Sequence, residues 1–151
     1  MCKVILMPLA LIPVLVSCLI GVSPQQGQGQ SAFCQPFDAH AENLISYAER
    51  VAGEQSERMA AKRQRYGIPL TPASEVSYVV DEEVCQKAAA RYDQELGEYG
   101  GNPDRQVYVV RIGTTPEGTR YMVQDFYQRA GEFTIVMVFD ESFQRLATFA
   151  G

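Results

Sequence analysis

Cys34 and Cys85 are the residues of this chain whose type and spacing most directly suggest chemistry. They are the only cysteines beyond an apolar N-terminal segment that contains Cys2 and Cys18. An even number of cysteines in an oxidising compartment favours a disulfide, and a bond between these two would close a loop of about 50 residues and stabilise the fold by roughly 4 kcal/mol. Neither thiol belongs to a Cys-x-x-Cys motif or has a paired histidine to activate it. We therefore predict a structural disulfide between Cys34 and Cys85.

His40 is the single histidine, and it lies two residues after Asp38 in the first turn of a predicted helix. A metal site needs companion ligands, and the acidic residues 81–83 are better explained as the start of a second helix. The chain also lacks a Gly-x-Ser-x-Gly elbow, a phosphate loop and a dinucleotide fingerprint. We predict no catalytic residues, no metal and no cofactor. The open alternative is a small-ligand-binding or hydrolase-like enzyme that uses His40 or an acidic residue in a pocket between helices and sheet.

Tyrosine and arginine are prominent on two predicted strands near the C-terminal end. Both side chains are enriched where proteins bind one another, because they combine contact area with directional hydrogen bonds. Tyrosine is also a favoured strand residue that packs across a sheet, so a structural role is the alternative. We predict a protein- or peptide-binding surface formed by Tyr108, Arg111, Arg120, Tyr121 and Tyr127.

Composition and charge limit the classes of protein that this chain can represent. It has 151 residues, of which 46% are hydrophobic and 10% aromatic, as expected for one globular domain. The formal net charge is −5, and Lys3 is the only charged residue before Asp38, so the part after the leader is still more acidic. An acidic domain is repelled by phosphate backbones. We therefore expect no nucleic-acid partner.

The N-terminal segment indicates export. Lys3 precedes 19 uncharged residues, and a Gln- and Gly-rich stretch follows. We interpret residues 1–22 as a signal peptide or N-terminal anchor and residues 23–32 as a flexible linker. Three outcomes stay open: cleavage after a small residue, lipidation of Cys18 in a Leu-Val-Ser-Cys sequence that resembles a bacterial lipobox, and retention as an anchor close to the ~20 residues that span a bilayer. The protein would be periplasmic or secreted, or membrane-anchored through this segment alone.

Residues 33–151 carry the periodicity of one α+β domain. We predict a first helix that is capped by Asp38, either breaks at Gly53 or continues through it, and ends at Gly67. A second helix begins after Asp81. The predicted strands cover residues 75–80, 107–112, 120–127, 133–139 and 143–149, and their short connections favour an antiparallel meander. We predict two helices, the first with or without this break, packed in two layers on a four- to five-stranded antiparallel sheet.

The strand at residues 133–139 is apolar on both of its faces. A sheet with one solvated face alternates more sharply, so either the helices cover both faces or the second face meets a partner or another copy of the chain. We favour cover by the chain's own helices, while a homo-oligomer stays open. The functional hypothesis is an exported, non-enzymatic module that binds a protein or peptide through the meander sheet. The alternatives are the enzyme described above and a membrane-attached structural module.

Overall fold

The computed structural model describes residues 33–97, 105–127 and 135–150 and forms three α-helices and five strands. Cys18, the predicted leader and the predicted linker lie outside these residues. The strands follow one another in the sheet in chain order, and every neighbouring pair is antiparallel, which confirms the α+β class and the meander. The elements are α1 (Ala39–Gly53), α2 (Glu57–Tyr66), a 3-10 turn (Ala73–Glu75), β1 (Ser77–Tyr78), α3 (Glu82–Leu96), β2 (Arg105–Thr115), β3 (Gly118–Tyr127), β4 (Ile135–Phe139) and β5 (Arg145–Ala150).

The first predicted helix is divided into α1 and α2 at the position where the sequence allows a break. α1 ends at Gly53, and Ser56 starts α2 by accepting a hydrogen bond from the backbone N–H of Met59. The side chain of Arg63, which is buried, turns back and donates hydrogen bonds to the carbonyl groups of Val51 and Glu54. It thereby satisfies carbonyl groups that the end of α1 leaves without helical partners.

The helices lie on opposite faces of the sheet, so the domain has three layers rather than the two that we expected. Strand residues alternate between the faces, and β2 to β4 are apolar on both. One core cluster joins α1 to residues such as Val110 and Met122, and the other joins α3 to residues such as Val109 and Val123. The expectation that the chain's own helices cover the second face is confirmed, and the physical reason is that each apolar face must leave water.

A short segment from Cys34 to Asp38 passes around the edge of the sheet. Cys34 lies in the core cluster of α3 and forms the predicted disulfide with Cys85, with the two Cα atoms 5.2 Å apart. Asp38 caps α1 on the opposite face by accepting from the backbone N–H groups of His40 and Ala41. The disulfide therefore fixes the segment at one face, and the helix cap fixes it at the other.

Every strand differs in its bounds from its prediction, and β1 and β2 differ most. β1 contains only two residues, Ser77 and Tyr78, which lie opposite Arg111 and Val110 of β2, and the backbone N–H of Val79 beyond it still donates to the carbonyl of Val109. β2 runs beyond its predicted end, with an irregularity in its pairing after Arg111. Among the helices of the described residues, none is long and apolar enough to cross a membrane.

Candidate functional site

The five residues of the predicted binding surface do not lie on one face. Tyr108 and Arg120 are 1% and 6% exposed and lie on the face that α1 and α2 cover. Arg111 is exposed and Tyr121 half-buried, and both lie on the face of α3. Tyr127 ends β3 opposite Arg105, but its side chain is outside the described part of the structure. The strand alternation therefore divides the predicted surface.

Tyr108 and Arg120 connect the sheet to the helices instead of facing a partner, which corrects their assignment to an exposed surface. The hydroxyl of Tyr108 donates to Oδ2 of Asp38 at 2.8 Å. Nε of Arg120 donates to the carbonyl of Gly67 at 3.1 Å, and its Nη2 lies 3.6 Å from Glu117. Both side chains are buried because their partners belong to the helical layer, and they stabilise the packing of that layer on the sheet.

Arg111 and Tyr121 remain together and line an open groove. They are directly opposite each other in β2 and β3, and Ser77 of β1 lies opposite Arg111 on its other side. Because α3 begins only at Glu82, this corner of the sheet is not roofed by the helix. The groove has a volume of about 260 Å³, and we call it the Arg111 groove; it is lined by Ser77, Tyr78, Val79, Val80, Asp81, Val84, Arg111 and Tyr121.

The charges around the Arg111 groove are mixed. The Tyr121 ring stacks on Phe143 with centroids 5.3 Å apart, and burial raises the pKa of its hydroxyl. The carboxylates of Glu141 and Asp81 raise this pKa further, whereas Arg111 opposes them. Within residues 33–97, 105–127 and 135–150, Arg111 forms no ion pair, in contrast to Arg120. The groove thus combines an apolar wall, a neutral phenol and an unpaired guanidinium.

A second cleft opens at the beginning of α1, between that helix and the sheet. The imidazole of His40 stacks on Phe126 with centroids 3.6 Å apart, and it lies 6.0 Å from the ring of Tyr108. The cleft also has a volume of about 260 Å³. We call it the His40 cleft; it is lined by His40, Asn43, Tyr108, Gln124, Asp125 and Phe126.

The acidic groups near the His40 cleft are already engaged. Burial would raise the pKa of Asp38, but hydrogen bonds from Ala41, Tyr108 and His40 outweigh it and hold that pKa below its usual value. Burial and the neighbouring Asp38 raise the pKa of Tyr108, and burial raises that of Tyr78 to about 12. At neutral pH the carboxylate is therefore ionised and the phenols keep their protons. The hydrogen bond between Tyr108 and Asp38 therefore joins a neutral phenol to an ionised carboxylate and stabilises the start of α1 on the sheet.

The other described residues that line the His40 cleft give little support to acid-base or metal chemistry. Oδ1 of Asp125 accepts a hydrogen bond of 2.8 Å from the hydroxyl of Tyr92. In the part of the chain that the structure describes, no carboxylate is hydrogen-bonded to the imidazole of His40. No group of three or more metal-ligating side chains occurs among those residues either.

Several lining residues escaped prediction from the sequence. Gln124 lies on the α1 face of β3 between Met122 and Phe126. The sequence signal that could have identified it is a polar residue at a position where the alternation of the strand predicts an apolar one. Asn43 follows His40 by three positions and therefore lies on the same side of α1. Val80, 74% exposed, is an apolar residue beside an edge strand.

The fold and its two clefts define a small disulfide-bonded α+β domain with helices on both sides of an antiparallel meander. Comparison with known families, curated proteins and solved structures finds no match to this chain. The function must therefore be argued from the clefts themselves.

Proposed function

We propose that this protein is an exported, non-enzymatic module that binds an extended segment of a protein or peptide in the Arg111 groove. The observation that carries the proposal is Arg111, an exposed guanidinium at an apolar groove with no ion pair among the described residues. An arginine at such a place is suited to a carboxylate, because its planar fork can donate two parallel hydrogen bonds. The apolar wall beside it supplies contact area.

The edge of the sheet favours an extended ligand over a compact one. β1 is an edge strand, and edge strands offer main-chain donors and acceptors to an added strand. Two exposed apolar side chains flank β1: Phe37, whose ring meets that of Tyr78 edge to face, and Val80. The segment from Cys34 to Asp38 passes around the same edge at Tyr78, so an added strand would pair only where that segment leaves the backbone of β1 open.

The charges of the groove suggest the sequence that such a ligand carries. A carboxylate of the ligand would pair with Arg111, and a neighbouring apolar side chain would pack on Tyr121 and Val84. Asp81 lines the opposite side and would repel a second carboxylate. We therefore expect a segment with one acidic residue among apolar residues, rather than a polyacidic one.

Selection from a random peptide library tests this proposal. The wild-type protein should enrich peptides that combine one acidic residue with apolar residues. Arg111→Glu should lose those peptides and enrich basic ones, because the charge at the groove is reversed. Arg58→Glu makes the same charge change at an exposed position of α2 and should behave as the wild type. Identical peptides from the wild type and Arg111→Glu would refute the assignment of the groove.

Export is part of the proposal and has a separate test. The disulfide supports an oxidising destination, and any membrane contact would be through the N-terminal segment. The intact mass of the protein from its native host should begin after the leader and show both remaining thiols blocked until reduction. A mass that begins at Cys18 with acyl chains would favour the membrane-attached module, and free thiols on a full-length chain would refute export.

The enzyme alternative has one supporting observation and one against it. His40 lines a cleft to which Asp125 also contributes, but the carboxylate of Asp125 points to the opposite face of the sheet. Asp125, however, accepts from Tyr92, and the imidazole stacks on Phe126 without a carboxylate hydrogen bond among the described residues. Binding therefore has the stronger support.

A further inference from the structure

We propose that the His40 cleft is a second binding site and that its ligand is a neutral saccharide ring. The cleft lies on the α1 face of the sheet, whereas the Arg111 groove lies on the α3 face. The two sites share only the wall of the sheet. The inference therefore stands independently of the peptide-binding function.

The polar side chains of the cleft match hydroxyl groups. Asn43 comes from α1 and Gln124 from β3, so two primary amides approach the cleft from different elements. Each amide carries donors and an acceptor, as a sugar hydroxyl also does. Neither side chain has a hydrogen bond to any other residue that the structure describes, so both are available to a ligand.

The aromatic side chains match the other surface of a sugar. A pyranose ring has an apolar face of C–H groups, which packs favourably on the electron-rich face of an aromatic ring. His40 and Phe126 stack on each other and line the cleft, so a sugar would pack on a ring face that this pair leaves uncovered, while Tyr108 beside them is only 1% exposed. A stacking wall with convergent amides therefore fits a ring that is apolar on one side and hydroxylated at its edges.

The charges of the cleft exclude an anionic ligand. No lysine or arginine lines the cleft, and the carboxylate of Asp125 points to the opposite face of the sheet, where it accepts from Tyr92. A phosphate or carboxylate would lose its hydration without meeting a counter-charge. A small organic cation is the competing occupant, because aromatic faces also attract ammonium groups.

A titration of the ¹⁵N-labelled full chain followed by NMR tests the proposal. The probes are cellobiose, N-acetylglucosamine and, for the competing occupant, tetramethylammonium chloride. We expect the side-chain NH₂ signals of Asn43 and Gln124 to shift with at least one of the two sugars. Tetramethylammonium should leave them in place. Arg111→Glu should leave the sugar response unchanged, which separates failure of this inference from failure of the peptide-binding function.

Variants on α1 make the test specific. Asn43→Ala should weaken sugar binding about fivefold, as expected for one lost hydrogen bond. Because Asn43 is exposed, this change should not unfold the protein. Ser46→Ala, one turn further along α1 and also exposed, is the matched control and should bind as the wild type.

A pair of substitutions at His40 separates stacking from other roles of the imidazole. His40→Phe retains an aromatic face and should keep binding, whereas His40→Ala should lose it. The inference is overturned if the two amide signals do not move with either sugar, if they respond only to tetramethylammonium, or if Asn43→Ala and Ser46→Ala bind equally well.

Discussion

Tyr108 shows how one side chain can satisfy a recognition pattern and still serve the interior. Its neighbours in sequence suggested a binding surface, but its hydroxyl reaches Asp38 and joins the cap of α1 to the sheet. The hydrogen bond ends on an ionised carboxylate and is partly buried, so it is of the stronger kind. Arg111, three residues later in β2, is instead exposed to solvent.

Tyr108→Phe should lower the free energy of unfolding at pH 7 by about 1.5–3 kcal/mol, because it removes a hydrogen bond to a charged acceptor. The pKa of Asp38 in the folded protein is below its usual 3.8, so its contribution is complete above about pH 4 and is lost as the pH falls through the folded value. Urea unfolding at pH 7 and pH 3 should show the difference between wild type and variant narrowing at low pH. A difference that is constant or grows on acidification would contradict this role.

At the scale of elements, the break between α1 and α2 is stabilised by a side chain that is distant from the break along the chain but contacts it in space. Arg63 lies in the last turn of α2, yet its guanidinium reaches the carbonyl groups at the end of α1. A buried arginine is tolerated only where its donors are satisfied, and those carbonyls satisfy them. The angle between the two helices is thus supported by specific hydrogen bonds.

Arg63→Met should destabilise the protein by about 2 kcal/mol, because it leaves buried carbonyl groups without donors. Thermal and urea unfolding measure the loss. Arg58→Met removes an exposed arginine from the same helix and should change stability by less than about 0.5 kcal/mol. Equal effects of the two substitutions would show that the hydrogen bonds of Arg63 do not matter.

At the scale of the whole molecule, three layers are connected by one short segment and one disulfide. α3 and α1 are separated by the sheet, and the segment from Cys34 to Asp38 links their faces around its edge. The same segment is anchored by Tyr78, whose hydroxyl donates to the carbonyl of Gln35 at 2.5 Å. Loss of the disulfide should therefore loosen both the edge of the sheet and the N-terminal cap of α1.

Replacing both Cys34 and Cys85 with alanine should lower the free energy of unfolding by about 2–4 kcal/mol, because the unfolded chain regains the entropy of an open loop. Hydrogen exchange should accelerate in β1 and at the start of α1, where the segment is attached. β4 lies away from that edge and should be less affected. Uniform acceleration throughout the sheet would instead indicate global destabilisation without a role in anchoring the segment.

The sequence by itself determined the features that depend on neighbours along the chain. The caps at Asp38 and Asp81, the helix end at Gly67 and the alternation of the strands follow from local hydrogen bonding and periodicity. The disulfide was also predictable, because only two cysteines follow the predicted leader. Together these features were sufficient to predict the α+β class and the antiparallel meander.

Only the tertiary structure decided which side chains meet and which are exposed. The spacing of three residues already puts Tyr108 and Arg111 on opposite faces of their strand, but which of the two is buried depends on register and on where the helices pack. The contact of His40 with Phe126 joins residues from α1 and β3, which are distant along the chain. The division of the helices between two faces, and with it both clefts, arises because each apolar face of the sheet must be removed from water.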